Sequence, residues 1–67
     1  MGKFINFTTV DDNEVILNAD SIDSIIHYRG STAINFLFKN SEYSIPYYFD
    51  NEEVIHYYMG QFSKQLG

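Results

Sequence analysis

Apolar and polar residues alternate in short runs along the first part of the chain. Ile34, Phe36 and Phe38 interleave with Ala33, Asn35 and Leu37, and Ile5 and Phe7 with Phe4, Asn6 and Thr8. A period of two is what a strand needs when its two faces meet different surroundings. Strands are therefore expected over 3–9, 14–18, 22–29, 32–39 and 42–48. Between them lie Asp11-Asp12-Asn13-Glu14, Asn18-Ala19-Asp20-Ser21, Arg29-Gly30-Ser31 and Lys39-Asn40-Ser41-Glu42. Asp and Asn bond to their own main chain and tolerate left-handed dihedrals, and Gly30 supplies a positive φ at low cost. Turn residues recurring about every eight to ten positions favour hairpin-linked strands over βαβ units. Pro46 cannot donate a ladder hydrogen bond, which suits the last strand as an edge.

After position 49 the period changes. Val54, Ile55, Tyr58, Met59, Phe62 and Leu66 recur at helical spacing and form one apolar stripe. Asp50 is the expected N-cap, with Glu53 reaching back as a capping box and Phe49 and Val54 spaced as a hydrophobic staple. Glu52 and Glu53 suit the positive end of the helix dipole, and Lys64 the negative end. Gly60 weakens the helix by about 1 kcal/mol relative to alanine, and is read as allowing close approach to the sheet. The chain is thus expected to be an α+β protein: a small antiparallel β-meander of about five strands with one C-terminal amphipathic helix packed on one face. It forms a single domain over 1–67, with the sheet over 3–48 and the helix over 50–66.

Period two sorts the strand residues into faces. Ile5, Phe7, Val15, Leu17, Ile26, Tyr28, Ile34, Phe36, Phe38, Tyr43, Ile45 and Tyr47 share the face expected under the helix. One helix covers only one face. The other carries Phe4, Ile16, Ile25 and Leu37 among polar neighbours, more apolar than a solvated sheet face usually is. These four, with Tyr48 and Tyr57 near the strand–helix junction, are the candidate interface residues. A contiguous apolar patch of that kind marks an interface. Self-association or a protein partner is expected there, or at the edge of the first strand, which carries no proline.

Composition sharpens this picture. Sixty-seven residues without a cysteine cannot rely on disulfides or a zinc knuckle. Six Phe and six Tyr supply large buried areas instead. A net charge of −5 disfavours nucleic-acid backbones and anionic membranes. No apolar run approaches the roughly 18 residues of a membrane span, and no signal-peptide pattern is visible at the N-terminus. A cytoplasmic location is expected.

Candidate chemistry is sparse. His27 and His56 have no metal partner nearby in sequence. Asp11–Glu14 lacks the ligand spacing and central glycine of a calcium loop. Glu52 and Glu53 point about 100° apart on a helix and share no site. The glycines are isolated at positions 2, 30, 60 and 67, so there is no phosphate loop. No catalytic residue, metal ligand or cofactor is expected, and a non-enzymatic, protein-binding role is.

The run Phe7-Thr8-Thr9 followed by Glu14 through Ile25, together with Glu52-Glu53-Val54-Ile55, resembles the short FlbD/SwrD-type flagellar operon proteins. In those proteins an apolar strand, a turn, a strand ending in Asn, a small residue, an acid and an isoleucine-rich strand follow in the same order. Here the first turn is Asp-Asp-Asn-Glu instead of the Asn-Gly type, and no proline-acid turn follows the third strand. The resemblance implies a non-enzymatic, cytoplasmic accessory protein of motility and transfers no binding residue. The competing expectation is a small acidic inhibitor from a phage or mobile element that occupies the basic groove of a nucleic-acid-binding enzyme.

Overall fold

The computed structural model describes residues 3–66. In chain order the elements are β1 (Phe4–Thr8), β2 (Glu14–Asn18), a 3₁₀ turn over Ala19–Ser21, β3 (Ile22–Ile26), β4 (Ala33–Phe38), β5 (Ser44–Tyr48) and α1 (Glu52–Leu66). All strand pairings are antiparallel, so the expected α+β architecture is present. The strands divide into two sheets, β1-β2 and β3-β4-β5. The break falls where Asn18 accepts the Asp20 N–H and the chain winds into the 3₁₀ turn instead of a hairpin.

Turn chemistry sets the hairpins. Thr9 N–H donates to Asn13 C=O and Asp12 N–H to Thr9 C=O, and Asp12 has φ +64°. This is the three-residue hairpin loop that ends on a left-handed residue. Gly30 (φ +84°) and Asn40 (φ +67°) occupy the other two tight turns, closed by Ser31 N–H to Tyr28 C=O and Ser41 N–H to Phe38 C=O. Asp, Gly and Asn are the residue types that reach this region at least cost.

Both sheets and the helix surround one aromatic cluster with Phe7 at its centre. The Phe7 ring stacks on Phe36 at 5.3 Å between centroids, and Tyr47, Phe49, Tyr58 and Phe62 approach it within 6.2 Å. Ile5, Ile34 and Ile55 complete the core, each with no exposed surface. Aromatic pairs in edge and offset-stacked geometries add to the area they bury.

The face assignment changes within β3. Ile22 pairs with Phe38 but Ser24 with Leu37, so β3 holds one extra residue, Asp23, in a bulge. Beyond it the alternation is inverted. Ile25 lies opposite Phe36 and packs against the core, while Ile26 lies opposite Asn35 on the outer side. The expected placement of Ile25 on the outer face and Ile26 on the inner one is therefore corrected. Tyr28 and Tyr43, expected inside, lie in loops beyond the strand ends and are exposed. Ile45 has the inward parity, opposite Phe36, yet is exposed on edge strand β5.

The helix begins one residue later than the Asp50 cap requires. Asn51 Oδ1 accepts the Val54 N–H at 3.0 Å, and Ile55 N–H donates to Asn51 C=O. Asn51 is the cap and Val54 stands where a capping box needs Glu. Asn51→Ala should cost about 1 kcal/mol, lowering Tm by several degrees in a domain of this size, whereas Asp50→Ala leaves Tm nearly unchanged; thermal melts of the two variants check this. Gly60 also departs from expectation: it is exposed, and a Cβ there would meet nothing within 4 Å. It permits no close approach. Gly60→Ala should raise stability by about 1 kcal/mol, read as a higher urea midpoint.

Candidate functional site

The six residues expected at an interface do not form one patch. Phe4 and Ile16 are 62% and 68% exposed on the outer face of the β1-β2 hairpin, where Phe4 pairs with Asn18 and Ile16 with Asn6. Leu37 is half-buried on the outer face of the other sheet, flanked by Ser24 and Ser44. Tyr48 is exposed on that sheet's β5 edge, opposite Ala33, and Tyr57 projects from the helix beside Tyr58. Ile25 has left the set, because the Asp23 bulge turns it inward. What survives as a coherent apolar surface is the hairpin pair Phe4 and Ile16.

The edge of β1, the other expected route to a partner, is engaged by this chain itself. Thr8 N–H donates to the Tyr58 hydroxyl at 3.1 Å, and just beyond the strand Val10 N–H donates to Tyr48 C=O at 2.8 Å. The first contact ties the hairpin to the helix and the second ties it to β5. Tyr58→Phe keeps the ring in the aromatic cluster and removes only the hydroxyl, so a loss of about 1 kcal/mol is expected. Faster amide exchange at Thr8 is the specific readout.

No signal in the sequence brings His27 and His56 together, yet their rings meet edge to face at 6.2 Å. His27 Nε2 donates to Ser31 C=O at 2.9 Å, which leaves Nδ1 as the acceptor of the neutral ring. Two imidazoles do not make a metal centre, and among the described residues there is no group of three or more His, Cys, Asp or Glu placed to hold an ion. An open groove of about 680 Å³ lies between β3 and the C-terminal half of α1. Ile22, Ile25, Met59, Phe62 and Leu66 form its apolar wall, with Asp20, Asp23 and Lys3 among its polar residues.

The chain matches no family model, no curated protein and no solved structure. No helix among the described residues is long and apolar enough to cross a membrane. The hairpin β1-β2 combines two exposed apolar side chains with a main-chain edge, and is the best-formed candidate for recognition.

Proposed function

We propose that this protein is a non-enzymatic, cytoplasmic protein-binding module whose contact element is the β1-β2 hairpin. The exposure of Phe4 and Ile16 on one face of that hairpin carries the reading. Large apolar side chains scattered singly need no explanation, but two on one face of a two-stranded sheet form the kind of surface that association covers. The inner face of the same hairpin supplies Ile5 and Phe7 to the core, so the element is held rigidly while its outer face stays open. The resemblance of residues 7–9, 14–25 and 52–55 to flagellar accessory proteins favours a motility setting for the partner.

Affinity enrichment with the wild type, Phe4→Ser and Tyr43→Ser tests this. Tyr43 is a still more exposed aromatic, in the β4-β5 loop. A partner retained by Tyr43→Ser and lost by Phe4→Ser supports the hairpin as the contact element. Equal retention by both variants overturns it.

A further inference from the structure

The strand edges of the two sheets are protected unequally. An open edge is a template for pairing with another chain, and proteins blunt edges with proline, bulges, lysine or covering elements. On β1, the Tyr58 hydroxyl occupies the Thr8 N–H. β3 is interrupted by the bulge at Asp23 and flanked by the helix across the groove. Pro46 interrupts β5, whose Tyr48 carbonyl is taken by Val10. Of the four edge strands, β2, Glu-Val-Ile-Leu-Asn, carries none of these devices among the described residues.

Its free side can be assigned from the hydrogen-bond alternation. Ala19 N–H donates to Lys3 C=O and Thr9 N–H to Asn13 C=O. The intervening bonded pairs are therefore Ile5–Leu17 and Phe7–Val15. Glu14, Ile16 and Asn18 consequently direct their main-chain groups away from β1. Among the described residues no hydrogen bond uses the main chain of Glu14 or Ile16 on that side.

We propose that β2 pairs antiparallel with β2 of a second copy of this chain, centred on Ile16, to make a two-fold dimer with a continuous four-stranded sheet. The occupant follows from self-complementarity. In this register Ile16 lies opposite its symmetry mate and exchanges both main-chain bonds with it. Asn18 N–H donates to the mate's Glu14 carbonyl at each end. Glu14 then faces Asn18, so no carboxylate opposes another across the new pairing, where like charges would be destabilising. On the inner face Val15 meets the mate's Leu17; both are half-buried in the single chain and would become covered. A two-fold interface uses one patch twice, as this register does.

This inference deepens the reading of the hairpin as a binding element, and its test separates the two. Sedimentation equilibrium of the whole chain, up to about millimolar concentration so that weak pairing is seen, is combined with amide exchange at dilute and concentrated limits. The wild type should dimerise, with exchange at the Ile16 and Asn18 amides slowing about tenfold or more on concentration. Ile16→Pro removes a donor that points away from β1, so it spares the hairpin ladder and should leave a folded monomer. Tyr43→Ser should dimerise like the wild type. A wild type that is monomeric throughout, or an Ile16→Pro variant that dimerises equally well, overturns the dimer. Should Ile16→Pro fail to fold, the wild-type exchange at Ile16 and Asn18 decides alone: unchanged rates overturn the pairing. In a monomeric wild type, loss of a partner by Phe4→Ser would still uphold the hairpin reading.

Discussion

Phe7→Ala should leave the protein largely unfolded at 25 °C. The Phe7 ring is 3% exposed and meets five other aromatic rings, drawn from β4, β5, the segment before the helix and the helix itself. Truncating a buried Phe costs about 3–5 kcal/mol, from lost transfer energy and the cavity left behind. A core in a chain this short rarely supplies more than about 3–5 kcal/mol in total. No disulfide is available to limit the loss, since the chain has no cysteine. Urea titration followed by near-ultraviolet dichroism would show little or no folded baseline. A variant with a midpoint close to the wild type would mean that the cluster around Phe7 is not what holds the sheets together.

Ile55→Ala should undock the helix and unfold the sheets with it. Ile55 has no exposed surface and lies in the first half of α1, next to the Asn51 cap. The expected cost is about 2–5 kcal/mol. A helix of this length is marginal in water without an apolar face to pack. The sheets in turn lose the cover that Phe62 and Tyr58 give to Phe7. Far-ultraviolet helix signal and near-ultraviolet aromatic signal should therefore disappear in a single transition at lower temperature. If the aromatic signal persists after the helix has melted, the two sheets form a core without α1.

Much of the candidate site was legible in part. Phe4 and Ile16 were found because period two in residues 3–9 and 14–18 places them opposite Ile5, Phe7, Val15 and Leu17, and no irregularity intervenes in either strand. Period two continued through Asp23 places Ile25 on the outer face, because a polar residue in a bulge looks like any other polar residue in an alternating run. The open edge of β2 is not legible in the sequence for a related reason. Absence of protection becomes visible only when the other strands are seen to have it, and Tyr58, fifty residues away, is what protects β1.

Strand and helix periods, the left-handed turn residues Asp12, Gly30 and Asn40, and the apolar stripe of α1 were determined by the sequence alone. Each depends on residues within a few positions of one another, where main-chain sterics and side-chain spacing dominate. The helix cap is local as well, but it falls on Asn51 and not on Asp50: the Asn51 side chain accepts the Val54 N–H. The tertiary structure alone decided the division into two sheets, the inversion of Ile25 and Ile26, and which strand edges are covered. Those outcomes depend on the partner each strand meets across the core: pairing with Phe36 and Phe38 draws both Ile22 and Ile25 inward, and the chain accommodates this by leaving Asp23 out of the ladder.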